Sequence, residues 1–162
     1  QTISKPQVVA RMLQLLLQVP MPAAAKVLEI GTGCGYQAAV LAQLFGKVYS
    51  IERISGLHNK AQQHLLALHA NGAKVGGIHL ILGDGMLGYA AGAPYAGIIS
   101  AAGGDSLPMQ WCEQLAVGGR LVAPMAGADG RQLLLVVDKT LQGLKQSVLE
   151  AVHFVPLKSG VA

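Results

Sequence analysis

The run Val27-Leu28-Glu29-Ile30-Gly31-Thr32-Gly33-Cys34-Gly35-Tyr36 constrains the fold more than any other stretch of the chain. A short apolar segment with a β-branched residue at each end predicts a buried strand. Three glycines follow, and Tyr36 to Phe45 then predicts a helix. Strand, glycine turn and helix open a nucleotide-binding βαβ unit. Glycine is needed where the backbone turns sharply and meets a ligand without a Cβ in the way.

The glycines stand at 31, 33 and 35, and Tyr36 occupies the place where the dinucleotide fingerprint has its third glycine. That spacing argues against a nicotinamide-dependent oxidoreductase. Diphosphate cradles gain from positive helix ends and basic neighbours. Glu29, two positions ahead of the loop, instead suits a ligand carrying positive charge, such as the ammonium and sulfonium of S-adenosylmethionine. A glycine turn with no ligand is the alternative.

Downstream, Lys47 to Glu52 predicts a second strand. Glu52 lies 21 positions after Gly31 (52 − 31 = 21), where an acid at a strand end can accept both hydroxyls of an adenosine ribose. Leu57, Ala61, Leu65 and Leu68 recur at helical spacing and predict a helix ending near Asn71-Gly72. His58, His64 and His69 form no metal-ligand pattern and read as a solvated face. Ile78 to Leu82 predicts a third strand closed by Gly83-Asp84-Gly85. Asp84 could accept from an adenine amino group, or simply form a turn.

Tyr95 to Ser100 predicts a fourth strand and Ser106-Leu107-Pro108 a short helix through Leu115. Gly118-Gly119 turns into a fifth strand, Arg120 to Pro124. Two final strands, Arg131 to Asp138 and Ser147 to Leu157, are joined by Lys139 to Gln146 and predict an antiparallel hairpin. At the other end, Ser4 ahead of Lys5-Pro6 predicts the N-cap of a helix carrying Val8, Met12, Leu15, Leu16 and Val19. The whole predicts one α/β domain with a doubly wound, mostly parallel sheet and an antiparallel C-terminal edge. Glu29, Glu52 and Asp84 would gather at the carboxyl ends of strands one to three, where such sheets bind ligands.

Composition agrees. Hydrophobic residues make up 52% and charged ones 12% of the 162 residues, which suits strands buried on both faces. The net charge of +4 is spread over scattered Lys and Arg, so nucleic acid is not expected as a partner. Ile78 to Gly103 is broken by Asp84, Pro94 and many glycines, so no membrane span is expected. Cys34 and Cys112, far apart in the chain, suggest free thiols in a reducing compartment, and a cytoplasmic protein is expected.

Four segments occur in the order of the motifs of class I S-adenosylmethionine methyltransferases: Glu29 to Gly35, Ser50 to Arg53, Gly83 to Gly85 and Gly118 to Val122. A narrower resemblance rests on Gln1-Thr2-Ile3-Ser4-Lys5-Pro6, Ala93-Pro94-Tyr95 and Phe154-Val155-Pro156-Leu157. Together these resemble the protein-L-isoaspartate O-methyltransferase family over Gln1 to about Leu157. The resemblance implies a seven-stranded Rossmann-like sheet and a repair enzyme. It would methylate the α-carboxylate of isoaspartyl residues in damaged proteins, with S-adenosylhomocysteine as the other product.

By that resemblance Ser4 is the active-site residue. Glu29, Gly31, Thr32, Gly33, Gly35, Glu52, Asp84 and Gly85 would bind the cofactor. Thr2, Ile3, Val155 and Leu157 would flank the peptide, or else serve only as core and edge strand. The partners implied are isoaspartyl peptides and proteins met by a monomer, with no metal. Another class I methyltransferase acting on a small molecule and an inactive cofactor-binding module are the rivals. The family pattern has serine at Cys34, aspartate at Ala96 and a helical segment ahead of Gln1, which this sequence is expected to lack.

Overall fold

The computed structural model describes residues 3–162. Along the chain come α1 (Pro6–Leu17), β1 (Lys26–Ile30), α2 (Tyr36–Leu44), β2 (Lys47–Glu52), α3 (Ser55–Ala70), β3 (Ile78–Leu82), β4 (Tyr95–Ser100), α4 (Met109–Gln114), β5 (Leu115–Ala126), β6 (Gln132–Thr140) and β7 (Gly143–Val152). Two single 3-10 turns, Gly85–Leu87 and Ala90–Gly92, lie between β3 and β4. The strands form one seven-stranded sheet in the order β3-β2-β1-β4-β5-β6-β7. β3 to β5 pair parallel in that order, and β6 and β7 add antiparallel. The order reverses between β1 and β4, so a crevice opens beyond their carboxyl ends.

Strand alternation sorts the core into two layers. Val27, Ile99, Val122, Leu134 and Val136 face one side, against Met12 and Leu16 of α1 and Leu41 of α2. Leu28, Ile98, Leu121, Leu135 and Val137 face the other, with Trp111 of α4. Ala96, where the family pattern has aspartate, packs against the first layer.

Four predicted boundaries change. Ser4 does not cap α1: Lys5 is the N-cap with ψ 138°, and among the described residues no side chain caps the helix. The cause is Pro6, since the residue before a proline is driven out of the helical region. Lys5 is accordingly extended and the helix begins at Pro6. β5 starts at Leu115, which already pairs with Tyr95, and the register shifts between Tyr95 and Gly97. Gly118, at φ +85°, sits inside β5 instead of ahead of it. The last hairpin closes over Leu141 and Gln142 alone, because Lys139 and Thr140 pair with Leu144 and Gly143.

The fourth change matters for the site. The final strand ends at Val152 and not at Leu157. The Gln132 amide takes over the backbone of Phe154, with Phe154 N donating to Oε1 at 2.6 Å and Nε2 donating to Phe154 O at 3.2 Å. The chain leaves β6 and crosses to Gly103, which exchanges two hydrogen bonds of 2.8 Å with Val155 O and Leu157 N. A Cβ on Gly103 would stand 2.2 Å from Gln132 Nε2, so a side chain there would push the Gln132 amide off the Phe154 backbone.

Arg120 fastens α1 to the sheet. Its guanidinium grips Asp138 bidentately at 2.8 and 3.0 Å and donates at 2.9 Å to Leu15 O, a carbonyl of the last helical turn that also accepts from Gln18 N at 3.3 Å. Arg120→Ala is expected to destabilise the protein by about 2 kcal/mol in urea unfolding, because it strands the part-buried Asp138 carboxylate and cuts the tie between α1 and the sheet. Arg120→Lys should recover only part of that loss, since a point charge cannot reproduce the fork.

Candidate active site

The glycine loop is built on left-handed backbone. Gly31, Gly33 and Gly35 have φ of 90°, 56° and 91°, which L side chains adopt at a cost. β2 satisfies the loop's amides: Gly31 N and Thr32 N donate to Ile51 O at 2.8 and 3.2 Å, and Gly33 N donates to Glu52 Oε2 at 2.9 Å. Glu52 Oε1 accepts from Ile54 N at 3.0 Å. This loop walls a cavity of about 330 Å³ at the carboxyl edge of the sheet, within the range of small-molecule sites. Gly31, Thr32, Gly33, Glu52 and Gly85 line it from the sheet side. Ser4, Ile3, Val155 and Leu157 line it from the outside. Thr2 lies outside the described residues.

The three acids stand at or next to the carboxyl ends of the neighbouring strands β1, β2 and β3, as expected, but they do not share the cavity. Glu52 lines the cavity. Glu29 does not; its carboxyl is fully buried, accepts from the Ser50 hydroxyl, and is linked through Ser50 Oγ to Thr32 Oγ1 at 2.6 Å. Burial pushes the Glu29 carboxyl up to about 8, and the Ser50 hydroxyl and Gln37 amide offset this only in part. Among the described residues, Glu29 Oε2 and Gln37 Nε2 make no hydrogen bond of good geometry. Glu29 thus lies behind the loop and outside the cavity wall, with its carboxyl held well above the usual carboxylate range by burial.

Asp84 also stands back from the cavity. Its Oδ1 accepts from Met86 N at 2.9 Å, so the turn reading accounts for that oxygen. Its Oδ2 accepts from Gly160 N at 2.8 Å, 76 residues away.

Several lining residues escaped sequence reasoning. Lys60 and His64, one helical turn apart on α3, face the loop, and His64 Nδ1–H donates to Cys34 O at 2.9 Å. The helical spacing of the pair was the available signal; without the fold it does not say which face is wet. Gln37, in the first turn of α2, is buried yet reaches the cavity. Arg53 and Lys158 add positive charge at the rim. Among the described residues no group of three His, Cys, Asp or Glu could hold a metal ion, and no helix is long and apolar enough to cross a membrane.

The family model for Protein-L-isoaspartate(D-aspartate) O-methyltransferase (PCMT) matches residues 1–162. A Protein-L-isoaspartate O-methyltransferase from Methylibium petroleiphilum is 55% identical over 163 residues, covering 99% of this chain and 59% of that protein. One from Leptothrix cholodnii is 53% identical over 100% of this chain and 56% of its own length. The chain thus spans less than two thirds of the curated relatives it matches. A solved protein-L-isoaspartate O-methyltransferase superposes with a TM-score of 0.87 at 26% identity, over 99% of this chain and 50% of that one. A Plasmodium falciparum structure of that description, in complex with S-adenosyl-L-homocysteine, superposes with a TM-score of 0.86 at 24% identity, over 98% of this chain and 76% of its own, and shares the fold.

The buried Glu29 carboxyl sets a pH dependence. Its pKa is raised from 4.5 to about 8, so between those values the folded protein holds more protons than the unfolded chain. Stability from this group is complete below pH 4.5 and falls as pH climbs toward 8. Glu29→Gln should flatten that decline in thermal unfolding scans from pH 5 to 8. A decline of equal slope in the variant would remove Glu29 as its source.

Proposed function

The chain belongs to the protein-L-isoaspartate(D-aspartate) O-methyltransferase family, and from that premise we propose that it transfers the methyl group of S-adenosylmethionine to the α-carboxylate of L-isoaspartyl residues in damaged proteins. The observation that carries this reading is one cavity walled on one side by the glycine loop and Glu52 and on the other by Ser4 and Val155 to Leu157. A cofactor half and a peptide half meet there.

The donor set fits the cofactor. Each Glu52 oxygen accepts one backbone N–H and keeps a lone pair for a ribose hydroxyl. The absence of side chains on Gly31 and Gly33 leaves the backbone open to the methionine half. Bound there, the cofactor supplies a methyl group activated by its sulfonium. Gly85, just past β3, lines the same cavity and leaves room for the adenine half.

The nucleophile is the substrate's own carboxylate, ionised at neutral pH, so the chain needs no general base. Ser4, half-buried in the cavity wall, donates a hydrogen bond that orients the carboxylate for in-line attack. Freedom from capping duty leaves its hydroxyl available. Ile3, Val155 and Leu157 exclude water from the reacting oxygen, and a poorly hydrated carboxylate attacks faster. Two free cysteines, Cys34 and Cys112, support a reducing, cytoplasmic setting.

Methyl transfer is tested by mass spectrometry on a short isoaspartyl peptide, with its aspartyl twin as control. Only the isoaspartyl form should gain a methyl. Ser4→Ala should lower kcat by about tenfold to a hundredfold, the worth of one hydrogen bond to a charged group. An unchanged rate would take the hydroxyl out of the mechanism. Methylation of neither peptide, with S-adenosylhomocysteine still bound tightly, would favour a different substrate.

A further inference from the structure

A second cavity, of about 580 Å³, opens beside the first. The two share Ile3, Ser4, Ala101 and Val155 in their walls, so Ser4 stands on the ridge between them. A peptide whose isoaspartyl carboxylate lies at Ser4 must run its neighbouring residues away from the cofactor. The second cavity offers that exit.

Its chemistry is lopsided. Val8, Val152 and Phe154 give apolar walls, and Phe154 is buried. Among the described residues, the titratable ones lining it are Lys5 and His153, both exposed, with no carboxylate. Among the described residues, neither side chain makes a hydrogen bond or ion pair; Glu150 of β7, close by in sequence, is held at 2.8 Å by Arg11. Lys5 also sits at the amino end of α1, whose first turn carries no acid and no side-chain cap, so the helix dipole adds to the positive potential instead of being offset by it. Apolar walls around an uncompensated positive centre complement a short apolar stem that ends in a carboxylate.

We propose that the second cavity is a subsite for an acidic residue adjoining the isoaspartyl residue, with Lys5 and His153 as its recognition groups. This rests on the methyl-transfer reading above. It makes damage sites in acidic stretches the preferred substrates. Glutamate fits the pair best: its methylenes lie against Val8 and Phe154 while its carboxylate meets the Lys5 ammonium and the His153 ring N–H. A lysine in the same place meets like charge.

The test compares isoaspartyl peptides carrying Glu, Gln or Lys at the residue before or after the isoaspartyl. Glu and Gln have the same shape, so their ratio isolates charge. Exposed charge pairs in water give factors of up to about five. At one of the two positions kcat/KM should favour Glu over Gln by roughly that factor and Gln over Lys by a similar one. The preference should shrink in 0.5 M salt, where screening acts within a few ångströms. The double variant Lys5→Gln/His153→Gln should bring the Glu-to-Gln ratio to one, and Lys5→Glu should favour the Lys peptide.

Anisotropy of the same peptides, labelled and titrated with protein in S-adenosylhomocysteine, should give the same ratios without turnover. Equal binding of Glu and Gln peptides at both positions, or a preference that survives the double variant, overturns the subsite. If the binding ratio holds but no peptide is methylated, the subsite stands and the methyl-transfer reading fails.

Discussion

The attachment of the glycine loop to the end of β2 is the constraint on which the rest of the site depends. Three successive loop amides find acceptors there, two on Ile51 O and one on Glu52. The left-handed glycines make that path possible; the amide bonds make it rigid. A loop free to move would leave buried N–H groups without partners, at about 1–3 kcal/mol each. Glu52 thus holds the loop and borders the cavity with one carboxylate. The position of the cavity is a consequence of sheet pairing, because β2 lies against β1 over five residue pairs.

The opposite wall comes from two chain segments far apart in sequence. Ile3 and Ser4 precede α1, which Arg120 ties to β5 and β6. Val155 to Leu157 follow β7 and are carried over by the Gln132 amide and by Gly103. Both arrive at the carboxyl ends of β1 and β4, where the strand order reverses. Shortening β7 by five residues against the predicted end is therefore not a loss of order: those residues leave the sheet to build the site.

Much of this was legible from residue order alone. β2, β3 and β4 fall on the residues expected, since each is a compact apolar run bounded by glycine, proline or charge. The glycine spacing pointed to the loop, and the alternation of elements pointed to the sheet. What escaped were contacts between distant residues. Nothing near Gln132 indicates that its amide will replace a strand partner at Phe154. Nothing near Asp84 points to Gly160. The capping role of Ser4 failed for a local reason that was legible, namely that Pro6 forbids a helical Lys5. The second cavity, formed where α1 meets the end of β7, has no local signature.

Glu29, Glu52 and Asp84 illustrate why residue type underdetermines role. All three stand at or near strand ends, and their motif positions suggested one shared task. Glu29 is sealed behind the loop, where desolvation outweighs the Ser50 hydroxyl and raises its pKa, and it supports Thr32 through Ser50. Glu52 keeps two backbone donors and an open side. Asp84 divides its oxygens between the turn after β3 and the tail at Gly160, while Arg53 holds the same tail through Gly160 O at 3.0 Å. Ala162 and Ser55 complete the join, pairing the tail with the residues just past Glu52. The tail therefore spans the ends of β2 and β3. Solvation and partners, not the carboxyl group itself, decide which acid is a support, which a lining group and which a clasp.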